Sequence, residues 1–106
     1  MAENAGLVYV TCGSKEEADR VARVLLEEEL IACANIIGNA SSLYRWKGKV
    51  VEDTEAVLIA KTKEKLVGTV TDRIKSLHSY DCPCIVSLAI EGGNSAFLEW
   101  VNRETI

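Results

Sequence analysis

The chain has 106 residues, 48% hydrophobic and 26% charged, with a formal net charge of −4 and a pI of about 5.0. That is the length of one domain with ordinary globular usage, which excludes a disordered chain. An acidic surface repels phosphate backbones, so nucleic acid is not an expected partner.

Leu7 to Cys12 is a short β-branched, apolar run and predicts a strand. Ser14-Lys15-Glu16-Glu17 has the pattern of a capping box, serine with glutamate three residues later. The helix behind it sets Ala18, Val21, Ala22, Leu25 and Leu26 on one face and should end near Leu30. Ala32 to Ile37 reads as a second strand, continued by Ala40 to Trp46 after a bulge or bend at Gly38-Asn39. Lys47-Gly48 is a tight-turn signal, and Lys49 to Lys61 a long third strand. Thr62 is placed to cap a second helix with Leu66, Val70, Ile74 and Leu77 inward. His78 to Cys84 is a loop holding the only proline, Pro83, and Ile85 to Ile90 a fourth strand. After Gly92-Gly93, Asn94 caps a short helix carrying Phe97, Leu98 and Val101.

The order is β-α-β-β-α-β-α, and its first six elements are the split βαβ, or ferredoxin-like, arrangement. It predicts an α+β domain over 1–106, with a four-stranded antiparallel sheet and both long helices on one face. RNA-recognition modules share this order but need aromatics on the central strands; only Tyr9 stands there, with no basic surround. Met1 to Gly6 has neither a basic stretch nor a long apolar run, and apolar runs such as Ala56 to Ala60 fall far short of a membrane span. A cytoplasmic location without membrane contact is the expectation. Cys12, Cys33, Cys82 and Cys84 are then core residues, metal ligands or redox groups rather than a disulfide frame.

Two features predict an oligomer. A strand from Lys49 to Lys61 spans roughly 43 Å at about 3.3 Å per residue, longer than a compact domain with a radius of gyration of about 13 Å. The hairpin must overhang, and it carries Leu43, Tyr44, Trp46, Val50 and Val51. Second, strands 7–10, 57–60 and 85–90 are nearly continuously apolar, so both sheet faces want cover, and a short last helix is too small for the second. Sister subunits supply it, or a strongly twisted hairpin folds back on its own sheet.

Four segments now read together. Glu28-Glu29-Leu30-Ile31-Ala32-Cys33-Ala34-Asn35-Ile36 resembles the E-x-L-A-A-C-x-N-I passage of the CutA family, the divalent-cation tolerance proteins. Ser42-Leu43-Tyr44-Arg45-Trp46-Lys47-Gly48-Lys49, followed by Glu52 and Glu55, resembles its S-x-Y-x-W-x-G-K hairpin. His78-Ser79-Tyr80-Asp81-Cys82-Pro83-Cys84-Ile85 is similar to its H-P-Y-x-x-P-E-I loop, and Gly93 to Trp100 to its G-x-x-x-Y-L-x-W segment. The resemblance implies a ferredoxin-like fold, a homotrimer with hairpins pairing between subunits, no established catalysis, and a link to copper and other divalent ions. It also implies architectural kinship with the PII signalling proteins, which bind small effectors between subunits. The chain departs from the family at Ser79 for proline, Cys84 for glutamate and Phe97 for tyrosine, and Leu77 stands before His78 where some members have a second histidine.

The only histidine, His78, is read either as a Cu(II) or Zn ligand or as a helix C-terminal residue meeting free carbonyls. Cys12 ends the first strand beside a helix N-terminus, which lowers a thiol's pKa. The resemblance implies a copper-ligating cysteine near this point, with either Cys12 or Thr11 as counterpart; a small strand-end residue is the alternative. Cys82 and Cys84 flank Pro83 and point the same way on an extended segment, either to clamp one ion or to be buried. Cys33 reads as core. Glu52, Asp53 and Glu55 read as a solvated edge, with Glu52 and Asp53 on opposite faces.

Catalytic layouts are absent: no G-x-S-x-G, P-loop or G-x-G-x-x-G occurs. Acylphosphatase, which shares the order, needs an arginine after the first strand that Cys12-Gly13-Ser14-Lys15 lacks. The expectation is a non-enzymatic homotrimer binding a divalent metal, copper first, through His78 and Cys12, supplemented by Cys82 and Cys84. Its alternatives are a PII-like sensor whose cleft, walled by Trp46, Lys61 and Tyr80, takes a small anionic or nucleotide-like effector, and a scaffold for a partner protein.

Overall fold

The computed structural model describes residues 4–106; the N-terminal stretch read above for targeting lies partly outside them. The elements are β1 (Ala5–Cys12), α1 (Lys15–Glu27), β2 (Cys33–Trp46), β3 (Lys49–Lys63), α2 (Val67–Leu77), β4 (Ile85–Ile90) and α3 (Ser95–Arg103). The strands form one antiparallel sheet in the order β2-β3-β1-β4. This is the expected ferredoxin-like fold with an added C-terminal helix.

Alternation along the strands divides the two faces. Val8, Val10 and Cys12 of β1 and Ala56, Leu58 and Ala60 of β3 meet the apolar stripes of α1 (Ala18, Val21, Ala22, Leu25) and α2 (Val70, Ile74) in one buried cluster. On the other face α3 shelters only one end, where Val101 packs with Ala5 and Ala32 beside Ile90, Leu98 and Trp100. Val86, Leu88 and Ile37 stay exposed there.

The ends of the helices depart from the sequence pattern in instructive ways. Ser14 caps α1, its Oγ accepting from Glu17 N–H at 3.1 Å. The return half of the capping box is not made, because the Glu17 carboxylate accepts from Gly13 and Ser79 N–H instead. The helix stops at Glu27, short of Leu30: Glu29 takes a left-handed φ of 58° and turns Leu30 into the core. Thr62 does not cap α2. It is a buried residue of β3 opposite Gly6, and its hydroxyl donates to the Leu30 carbonyl at 2.6 Å. A buried carbonyl between α1 and β2 requires such a donor. The strand runs on to Lys63, and α2 follows a 3-10 turn with no side-chain cap.

β2 is continuous through a bulge, with Gly38 and Asn39 set against Ala56 and Asn39 at φ 57°. The hairpin turns on Lys47 (φ 49°) and Gly48 (φ 78°), the two positive angles of a tight two-residue turn. The overhang is real. The molecule measures 48 × 25 × 22 Å with a radius of gyration of 14.4 Å, against about 13 Å for a compact chain of this length. Leu43 (67% exposed), Trp46 (58%) and Val50 (72%) sit on the projecting arm. Among the described residues no helix is long and apolar enough to cross a membrane.

Candidate functional site

The chain brings three candidate donors together where β1 ends, α1 begins and α2 has just ended. Cys12, Glu17 and His78 each offer a ligand atom, all within 4.8 Å of one another. Cys12 is the last residue of β1 and is fully buried. Glu17 is in the first turn of α1, and its side chain is almost closed off. His78 follows α2 with extended backbone, and its ring is fully enclosed.

Hydrogen bonds fix the state of the imidazole. His78 Nε2 lies 2.7 Å from the Thr11 carbonyl, which can only accept. His78 Nδ1 lies 3.1 Å from Tyr80 N–H, which can only donate. The ring is therefore the neutral form with its proton on Nε2. Nδ1 also stands 3.8 Å from Glu17 Oε2. The helix-end alternative does not hold for this ring: its N–H is given to Thr11 rather than to a carbonyl of α2.

Burial by itself would raise the Glu17 pKa. The Ser79 hydrogen bonding and Gly13 N–H outweigh it and hold the carboxyl below its ordinary 4.5. Cys12 goes the other way. Burial first, then the charges of Glu17 and Glu55, push its thiol from 9.0 up to about 11. The expected helix-assisted thiolate is thus overturned, and the reason is geometric. The positive end of α1 is taken up by Ser14 and the Glu17 carboxylate, which leave Cys12 with burial and negative neighbours.

Next to this closed cluster lies an open groove of about 820 Å³ between the root of the hairpin and the loop after α2. Thr11, Trp46, Glu55, Tyr80, Cys82 and Cys84 are among its walls. Tyr80 joins the two sites. Its ring packs on His78 at 4.7 Å, and its hydroxyl donates to Glu55 Oε2 at 2.9 Å. Burial and then Glu55 push its pKa up, so the proton stays. Cys82 and Cys84 are exposed, outside the buried cluster. Asp53 lines the groove and Glu52 does not, as strand alternation requires.

Lys61 does not line this groove within the chain: it pairs with Leu7 and Cys33 and its Nζ donates to Asn35 at 3.2 Å. It lies six residues along β3 from Glu55, roughly 20 Å away. Cys33, read as core, is half-buried, because it is out of phase with Ala34 and Ile36, which pack against the core. The residue the sequence reading missed is Glu17. Its signal was present, a glutamate just after Gly13-Ser14, but the capping pattern absorbed it.

A family model described as CutA1 divalent ion tolerance protein matches residues 6–104. Protein CutA 1, chloroplastic, of Oryza sativa is 43% identical over 99 residues, covering 93% of this chain and 56% of its own length. The divalent-cation tolerance protein CutA of Thermus thermophilus is 42% identical over 99 residues, 93% of this chain and 96% of the relative. The chain thus spans nearly all of the Thermus relative and about half of the rice one. The crystal structure of CutA1 from Oryza sativa superposes with a TM-score of 0.96 at 41% identity, covering 99% of this chain and 96% of that one. Sequence motifs, sheet order and superposition agree, and the chain belongs to the CutA1 divalent ion tolerance protein family.

Proposed function

We propose that the chain is a homotrimer that takes up a divalent cation, copper first, at Cys12, Glu17 and His78, as part of metal tolerance. The observation that carries this is the setting of His78. Metal-binding histidines usually donate their other ring N–H to a carbonyl or carboxylate, and Thr11 O fills that role. The remaining nitrogen lies 3.8 Å from Glu17 Oε2, close to the roughly 3.5 Å between two ligands on one tetrahedral ion. Imidazole, carboxylate and sulfur together suit Cu²⁺ or Zn²⁺. The ion takes the place of Tyr80 N–H on Nδ1 and of the thiol proton on Cys12, so uptake releases a proton and strengthens as pH rises. The role in tolerance is the one named for the Thermus thermophilus relative.

The homotrimer rests on the bare apolar arm and the half-covered sheet face; the three-fold count is what the family resemblance implies. We read the role as binding rather than catalysis. Cys12 is held as a thiol and His78 uses both nitrogens, so neither is an activated nucleophile or base. Four unpaired cysteines suit a reducing compartment such as the cytoplasm.

Calorimetric titration of Cu²⁺ and of Zn²⁺ into the protein, His78→Ala and Glu17→Gln tests the site. Both variants should bind more than tenfold more weakly, and affinities equal to wild type would remove those residues from it. A second reading, a small effector in the groove, is favoured by the aromatic walls Tyr44, Trp46 and Tyr80. With Asp53 and Glu55 there and Lys61 elsewhere, such an effector is neutral or cationic rather than anionic. A thermal-shift screen of metabolites against metals separates the two readings, since a ligand of the folded form raises Tm.

A further inference from the structure

We infer that Cys82 and Cys84 make a second, separate site: a two-thiolate clamp for a soft monovalent ion such as Cu(I) or Ag(I). Both are free and exposed, and both line the groove. Pro83 between them is half-buried, so exposure alternates along the segment, the pattern of an extended stretch whose residues two apart share one side. The backbone is held from two directions. Pro83 fixes its own φ and favours an extended Cys82. Thr11 N–H donates to the Cys84 carbonyl at 3.3 Å, just before β4 begins at Ile85.

The spacing decides what the pair suits. Residues two apart on an extended chain have Cα atoms roughly 6.6 Å apart. That is the upper edge of the disulfide range, whose mode is about 5.5–6 Å. An interposed ion relaxes the demand, because two metal–thiolate bonds of about 2.3 Å let the sulfurs stand up to about 4.6 Å apart. Soft thiolates select Cu(I) over hard divalent ions. Binding releases the thiol protons and leaves the ion's oxidation state unchanged. The carboxylates of Asp53, Glu55 and Asp81 on the same groove raise the local concentration of cations.

This pair is independent of the buried cluster. The pairing of Val10 with Ile85 continues one residue on to Thr11 and Cys84, which puts Cys84 on the sheet face opposite Cys12. Cys12 is enclosed among the helices, whereas the pair opens to the groove. The clamp therefore goes beyond the divalent reading and stands or falls without it.

The test is an anaerobic Cu(I) titration of the reduced full chain against a chromophoric Cu(I) chelator, with Zn²⁺ titrated in parallel as the divalent probe. One Cu(I) per chain is expected. Cys82→Ser and Cys84→Ser should each weaken Cu(I) by more than about a hundredfold, since even outer-shell changes reach that size. Cys33→Ser should leave it unchanged, and Zn²⁺ affinity should be the same in Cys82→Ser/Cys84→Ser as in wild type. Equal Cu(I) affinity in wild type and the double variant overturns the clamp. So does a loss of Cu(I) in Glu17→Gln or His78→Ala as large as in the double variant, which would merge the two sites into one. Absence of Zn²⁺ binding everywhere, with Cu(I) behaving as stated, would remove the divalent reading alone.

Discussion

The two ends of the molecule meet the same requirement in opposite ways. At the helix-covered end a short sheet, two helices and a loop close on Val8, Leu25, Leu58 and Ile74, all fully buried. The polar groups trapped there answer one another: Thr62 with Leu30, His78 with Thr11, Glu17 with Gly13 and Ser79. At the hairpin end, strands of 14 and 15 residues project and keep Leu43, Trp46 and Val50 in solvent. One end buries its large apolar side chains within the chain and the other leaves them exposed. Charge follows the same division. The globular end holds Glu17 and His78 in hydrogen bonds, while the groove at the hairpin's root gathers Asp53, Asp81 and two free thiols.

The difference can be broken hardest at the arm. Leu43→Asp with Val50→Asp should convert the oligomer to protomers, read by sedimentation velocity, while leaving the far-ultraviolet spectrum of the globular end intact. Retention of the assembly would show that the arm is not its contact. Leu25→Ala strikes the closed end instead. Truncation of a fully buried leucine costs about 2–5 kcal/mol, and urea unfolding at fixed protein concentration should show it.

The closed end has a signature in alkali. Cys12 has a folded pKa of about 11 against an ordinary 9.0, and the native state favours the neutral form. Its contribution is complete below pH 9 and is lost as pH rises toward 11, up to about 3 kcal/mol. Tyr80, raised above its ordinary 10.0, adds its own loss above that pH. The interval between 9 and 10 therefore belongs to Cys12, and Cys12→Ala should flatten the stability curve there. Glu17 acts at the other extreme. Its folded pKa lies below 4.5, so its contribution is present above that pH and is lost as pH falls through the folded value. Glu17→Gln should remove that acid dependence and lower stability at neutral pH by about 1.5–3 kcal/mol, the scale of a charge-assisted hydrogen bond. Unchanged melting at pH 7 would show that the carboxylate does not hold the Gly13 and Ser79 backbone.

Much of the globular end was legible because period and punctuation agree there. The apolar alternation of β1, the 3.6 spacing of α1 and the caps at Ser14 and Asn94 each specify their element. The arm was legible from length alone. What the sequence hid was the destination of polar side chains. Thr62 carries the mark of a helix cap, yet the carbonyl it serves is Leu30, which only the fold brings near. Glu17 fits a capping box, yet loop residues 62 positions away claim its oxygen. Cys12 stands beside a helix start, as a reactive thiol would, and its pKa moves the opposite way because the helix charge is already spent on Glu17. Lys61 shares β3 with the groove residues Asp53 and Glu55 but lies toward its other end, where it meets Asn35. Local pattern finds elements; which partner a side chain meets depends on register and crossing, which no local window contains.

The claim that the hairpin end is finished by sister chains is tested most directly by sedimentation equilibrium of the purified protein at micromolar concentration. A single species of three times 11.6 kDa is predicted, stable on dilution. A well-folded species of 11.6 kDa under the same conditions would contradict it.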